Sequence, residues 1–143
     1  MTTCVVDASV AAKWLLPAAG EGLIEQANHL VALHVRHELL LLAPGLIRAE
    51  IGNVLWKAVR RHRISQAEAE NSLRRFTDLA IQAVPASDLL VQALQIAVTC
   101  DRSFYDSLYV ALALATKTEL ITADERLVNA LGSRFPVRWL GAR

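Results

Sequence analysis

Two cysteines, Cys4 and Cys100, are all that the chain carries. That is too few for the disulfide framework that staples small secreted domains. Four prolines and six glycines in 143 residues exclude collagen-like repeats and linker-like architectures. The longest uninterrupted apolar run, Leu108–Ala115, falls far short of the roughly 20 residues that a membrane span needs. No basic segment precedes the first apolar stretch, so no secretory signal is expected and the reducing cytoplasm is the expected compartment. Neither G-x-G-x-x-G nor G-x-x-x-x-G-K-[ST] occurs, so nothing supports nucleotide-cofactor binding. No nucleophile elbow with a Ser-His-Asp order is present. The formal net charge is only +1, which gives no global case for nucleic-acid binding.

What is present is a globular composition, 54% apolar and 20% charged, at the length of a single domain spanning 1–143. A chain of this size buries roughly 68–70% of its unfolded surface, enough for a core without staples. Short apolar runs alternate with longer helical patterns. Strands are expected at Cys4–Val6, Leu39–Leu42, Ile81–Val84 and Leu120–Thr122, with a last edge strand at Val137–Leu140. Helices are expected over Ser9–Leu16 (stopped by Pro17), Glu21–His34, Leu46–Arg61, from the Ser65-Gln-Ala-Glu68 capping box, over Leu89–Val98, over Tyr105–Thr116, and from Asp124. Continuous apolar strands separated by helices predict an α/β fold with a parallel sheet of four to five strands, covered on both faces. Such sheets bind ligands just outside the carboxyl ends of their strands.

Acidic residues stand at those ends. Asp7 follows the first strand, Asp124 lies two residues beyond Thr122, and Asp106 opens the helix leading into that strand. Glu50 shares the core-facing stripe of its helix with Ile47 and Val54, so it is either desolvated or lines a cleft. Each acid except Glu50 has a bland alternative as a helix cap or first-turn acid: Asp7 or Ser9 for the first helix, Ser103-Phe-Tyr-Asp106 and Thr122-Ala-Asp-Glu125 as capping patterns. Together, carboxylates converging on one sheet edge repel one another and recruit a cation. An all-oxygen set suits Mg²⁺ or Mn²⁺ rather than zinc, and such an ion serves phosphodiester hydrolysis.

Other residues carry weaker signals. His34 and His37 read as a surface pair, without the further ligands a zinc site needs. Cys4 and Cys100 read as buried thiols. Trp14, Trp56 and Trp139 read as core or interface residues. Lys57, Arg60, Arg61, His62 and Arg63 make a basic stripe that either meets phosphate or is a solvated helix face.

Four segments together resemble PIN-domain proteins, especially the toxins of bacterial VapBC toxin–antitoxin pairs. They are Val5-Val-Asp-Ala-Ser-Val-Ala-Ala-Lys-Trp14, Ala49-Glu-Ile-Gly-Asn-Val-Leu-Trp-Lys57, Tyr105-Asp-Ser-Leu-Tyr-Val-Ala-Leu-Ala113 and Leu120-Ile-Thr-Ala-Asp-Glu-Arg-Leu127. They occur in the family's order and span nearly the whole chain. The resemblance implies a three-layer α/β/α sandwich and a Mg²⁺- or Mn²⁺-dependent ribonuclease acting on single-stranded RNA. By matching position it makes Asp7, Glu50, Asp106 and Asp124 the catalytic, metal-binding acids. Ser9 and Thr122 would support them, and Asn53 would be a nearby supporting or packing residue. It further implies a homodimer and a cognate antitoxin chain laid across the acidic groove. The basic residues Lys57, Arg60, Arg61 and Arg63 would then touch RNA or the antitoxin. One departure from the pattern is Ala18 after Pro17, where related sequences often have an acid.

Three other readings compete. An aspartate-nucleophile phosphatase wants a second Asp two residues after Asp7, where Ser9 stands. A receiver-type signalling domain wants its acceptor Asp after a middle strand, whereas Pro85-Ala86-Ser87 follows the third. A non-catalytic RNA-binding or assembly module has no need of four intact acids.

Overall fold

The computed structural model describes residues 2–16 and 22–142. The strands are β1 (Thr2–Val6), β2 (Leu39–Pro44), β3 (Gln82–Val84), β4 (Leu120–Thr122) and β5 (Val137–Trp139). The helices are α1 (Ala8–Leu15), α2 (Ile24–Val35), α3 (Ile47–Arg60), α4 (Gln66–Asp78), α5 (Leu90–Cys100), α6 (Phe104–Ala115) and α7 (Glu125–Leu131). All pairings are parallel, in the order β3-β2-β1-β4-β5. Right-handed crossovers carry α1–α4 over one face of this sheet on the way out to β3, and α5–α7 over the other on the way back. The second face is built on α6, which packs across β2, β1 and β4. This is the expected α/β sandwich, with five strands.

Chain direction across the sheet reverses between β1 and β4, which is the topological switch point of the fold. β1 is the central strand, and Val5 and Val6 are fully buried. Its register with β4, Val5 to Leu120 and Val6 to Ile121, makes Asp7 and Thr122 the next pair. The receiver argument from the third strand therefore fails on its own ground. β3 is an edge strand, and the middle strand, β1, is followed by an aspartate.

Several boundaries move. α2 begins at Ile24 because Leu23 takes a left-handed conformation (φ 67°). The earlier start at Glu21, the stop at Pro17 and the departure at Ala18 lie outside the described residues. β2 runs on to Pro44, where it pairs with Val84. No helix among the described residues is long and apolar enough to cross a membrane.

Two side chains depart from expectation. His34 is not half of a surface pair: it is 8% exposed, while His37 is exposed. The Leu41 N–H donates to its Nδ1 at 3.1 Å, so Nε2 carries the proton and donates it to the Leu79 carbonyl at 2.8 Å. β3 pairs with β2 only from Leu42 onward, and the imidazole covers the strand edge that β3 leaves open. Cys100 is half-buried rather than buried, and its Sγ accepts from Arg134 at 3.1 Å.

His34→Leu keeps much of the volume but leaves two backbone groups without partners. It is expected to lower the unfolding free energy by about 1–3 kcal/mol, read by urea denaturation. An unchanged midpoint would show that the imidazole is not the tie between α2, β2 and the end of α4.

Candidate active site

Asp7 ends β1 and caps α1. Its extended backbone (φ −103°, ψ 178°) lets Oδ1 accept from the Ser9 and Val10 N–H groups at 3.1 and 3.3 Å. The cap is only part of its surroundings. The Ser9 hydroxyl donates to Oδ1 and the Thr122 hydroxyl to Oδ2, each at 2.5 Å. Both hydroxyl oxygens also accept, Ser9 from the Ala123 N–H at 2.9 Å and Thr122 from the Asp124 N–H at 3.1 Å. Ser9 Oγ and Thr122 Oγ1 lie 3.3 Å apart, but each has already given its one proton to Asp7. The clamp thus joins β1, α1 and the β4–α7 turn. Thr122 is fully buried at the end of β4 and caps no helix; the N-cap of α7 is Asp124.

Glu50 comes from the first turns of α3 and stands half-buried, with no capping role. It accepts from the Tyr109 hydroxyl of α6, on the opposite layer of the sandwich, at 2.7 Å through Oε1. Asp106 lies one turn before Tyr109, in the first turn of α6, behind the Ser103 cap that receives its N–H at 3.0 Å. Asp124 is exposed at the start of α7, where Oδ1 accepts from the Arg126 and Leu127 N–H groups at 3.0 and 3.4 Å. Tyr109 escaped the reading of the sequence as a site residue. The signal was its i+3 spacing from Asp106, which puts a hydroxyl on the same helix face as the acid.

Asp106 is the charge the other acids share. Burial pushes Asp7 up from its ordinary 3.8 to about 6; the Ser9, Thr122 and Val10 hydrogen bonds hold it down in part, and the Asp106 charge adds to the rise. Burial raises Glu50, the Tyr109 hydrogen bond opposes this, and Asp106 again adds to it. Burial also raises Asp106; the Ser103 hydroxyl lowers it, Asp124 raises it and Arg102 lowers it. The phenol of Tyr109, 2% exposed, is pushed strongly upward, first by burial and then by its contact with Glu50 and the charges of Asp7 and Asp106. It is therefore a constant proton donor.

The donor set is carboxylate oxygen throughout, the ligand chemistry of Mg²⁺ and Mn²⁺. The upward shifts mark a place where added positive charge is favourable. Among the described residues, no three His, Cys, Asp or Glu side chains stand close enough to share one ion as placed. The acids share an electrostatic field without a ready-made ligand cage.

The remaining candidates lie along α3. Asn53 is exposed one turn beyond Glu50. Lys57 and Arg61 follow at i+7 and i+11 from Glu50, on its line along the helix. Arg60 turns aside and stacks over Trp56, its guanidinium carbon 4.9 Å from the ring centroid. Arg63 lies beyond the helix end, in the turn before α4. The basic run is exposed throughout but is not one stripe.

The PIN domain family model matches residues 4–131 of this chain. Ribonuclease VapC1 of Mycobacterium tuberculosis is 37% identical over 135 residues, covering 92% of this chain and 93% of the relative. The crystal structure of PAE2754 from Pyrobaculum aerophilum superposes with a TM-score of 0.72 at 23% identity, over 99% of this chain and 92% of that one. A toxin–antitoxin complex from Klebsiella pneumoniae gives a TM-score of 0.60 at 13% identity, over 94% and 95%.

The raised acids set the sign of the stability change with pH. Asp7 binds its proton more tightly folded than unfolded, so its charge costs stability above about pH 6, and the cost vanishes below about 3.8. The gap corresponds to about 3 kcal/mol at neutral pH. Without divalent cations, stability is expected to rise as pH falls from 7 towards 5, and Asp7→Asn should flatten that rise. Urea midpoints across this range check it; equal slopes in both proteins would contradict the burial of the Asp7 charge.

Proposed function

The chain belongs to the PIN domain family, and from that premise we propose that it is the toxin of a toxin–antitoxin pair, a Mg²⁺- or Mn²⁺-dependent endoribonuclease. The observation that carries this reading is the hydroxyl-clamped, buried Asp7 at the switch point, sharing its field with Asp106 and Glu50. A helix cap needs neither the second hydroxyl clamp nor the neighbouring charges. The VapC1 relative is named a ribonuclease, which supports RNA as the substrate.

In this reading Asp7, Glu50 and Asp106 hold the ion, with Asp124 at the exposed rim. When bound, such an ion supplies an activated water and neutralises charge on the scissile phosphate. The chain's own residues do the rest. Ser9 and Thr122 fix both oxygens of Asp7, so it enters the site in one orientation. Lys57 and Arg61 draw the phosphate backbone along α3 towards Glu50. Asp124 ties the rim to the start of α7.

An antitoxin chain is the expected protein partner, by likeness to the VapC relatives and to the neighbouring toxin–antitoxin complex. A second copy of this chain is the other. Mean hydropathy is +0.33, and Val91, Leu94 and Val98 stand exposed on one face of α5, the surface such a copy would cover.

Cleavage of a panel of structured and unstructured RNAs, with and without Mg²⁺ or Mn²⁺, tests the reading. Wild type is expected to cut only with the ion. Mn²⁺ at a hundredfold excess over its dissociation constant should stabilise it by about 2.7 kcal/mol. Asp7→Asn should lose both effects while its metal-free stability holds or rises. A variant that keeps the full Mn²⁺ shift and wild-type cleavage would remove Asp7 from the mechanism.

The α3 track has its own test. Replacing Lys57 and Arg61 together by Ala should weaken RNA binding and reduce the salt slope by about 1.4, from two single-strand phosphate contacts. Arg60→Ala should change the slope less. If the double replacement leaves binding and slope untouched, that line of α3 is only a solvated face.

A further inference from the structure

We infer that Tyr109 is a positioning residue for Glu50, pinning one carboxylate oxygen so that the other is presented to the ion. This rests on the metallonuclease reading and deepens it. The Tyr109 hydroxyl gives its one proton to Glu50 Oε1 at 2.7 Å. That leaves Oε2 as the oxygen without this tie. Glu50 is otherwise poorly held: a long side chain on α3, half-buried, with no role in its own helix cap. Tyr109 is the opposite. Its ring is 2% exposed in the core, so its hydroxyl is delivered from a fixed point. It belongs to α6, one turn after Asp106. A single rigid helix therefore carries one acid and holds the other in place across the gap between the two layers.

The arrangement parallels the clamp at Asp7. There two hydroxyls, from Ser9 and Thr122, occupy both carboxylate oxygens. At Glu50 one hydroxyl occupies one oxygen. A buried tyrosine that only needed an acceptor for its hydroxyl would serve as well with a carbonyl. Here the acceptor is a carboxylate that reaches the site from the other layer.

Tyr109→Phe removes one oxygen atom and keeps the ring. Loss of a group that orients a metal ligand typically costs 10–100-fold in metal affinity. Calorimetry with Mn²⁺ alone is expected to show a loss in this range. Cleavage should fall at low Mn²⁺ and recover towards wild type at high Mn²⁺, since Tyr109 touches neither substrate nor ion. In a Glu50→Ala background, Tyr109→Phe should change Mn²⁺ affinity by less than twofold, because its route of action is already gone. A general packing defect would persist in that background and would not be rescued by Mn²⁺.

A further measurement does not depend on the variant folding. In wild type carrying ring-labelled tyrosine, the Tyr109 Cζ resonance should shift on adding Mg²⁺, and Glu50→Ala should abolish the shift. An unchanged Mn²⁺ affinity in Tyr109→Phe, or a Cζ shift that survives Glu50→Ala, overturns the role while a wild type that binds Mn²⁺ and cleaves RNA leaves the nuclease reading standing. A wild type that does neither overturns both.

Discussion

The site is organised around one buried carboxylate. Asp7 is 8% exposed at the end of the central strand, where an uncompensated charge would be very costly. Four donors from three elements meet it: two backbone N–H groups of α1 and the hydroxyls of Ser9 and Thr122. Those donors exist only if β1 and β4 hold their register, α1 starts at Ala8, and the chain turns from β4 into α7 at Ala123. The hydrogen bonds do not fully offset the burial, since Asp7 remains well above its ordinary value. The surrounding core holds together a cluster that is unfavourable in itself, as functional sites commonly require.

The second organising feature is the meeting of the two helical layers above the carboxyl edge of the sheet. Glu50 comes from one layer and Asp106 with Tyr109 from the other, and the Tyr109–Glu50 hydrogen bond closes the gap. Asp106 raises both Asp7 and Glu50 and is itself raised by Asp124. The four acids therefore differ in kind: Asp7 is buried and clamped, Glu50 and Asp106 are half-buried, and Asp124 is exposed. That gradient runs outward from the switch point and gives the cleft a closed end and an open rim.

Helix α3 divides the polar surface. The line through Glu50 continues to Lys57 and Arg61, whereas Trp56, 53% exposed, turns with Arg60 towards α4. There a groove of about 280 Å³ is lined by Leu55, Val59, Ala69 and Leu73. Cations adjacent in sequence thus serve two different surfaces, because successive residues on a helix differ by about 100° in direction.

The sequence by itself determined the class of the fold and the types of its elements. Continuous apolar runs such as Leu39–Leu42 and Leu120–Thr122 mark strands covered on both faces, and the Ser65–Glu68 capping box marks the start of α4. It also singled out Asp7, Glu50, Asp106 and Asp124, because acids at strand ends or on a core stripe violate the local pattern. Tertiary structure decided the rest. Only strand order makes β1 central and sets Thr122 beside Asp7, since hydrogen bonds between residues 115 apart leave no periodic trace. Only the packing of α2 against β2 buries His34, which spacing alone left on the surface. Tyr109 reads as one more apolar residue of α6 until the opposite layer brings Glu50 to its hydroxyl. Local propensity and periodicity are carried by neighbours in the chain, whereas the partner of a buried polar group is chosen by where the whole fold places it.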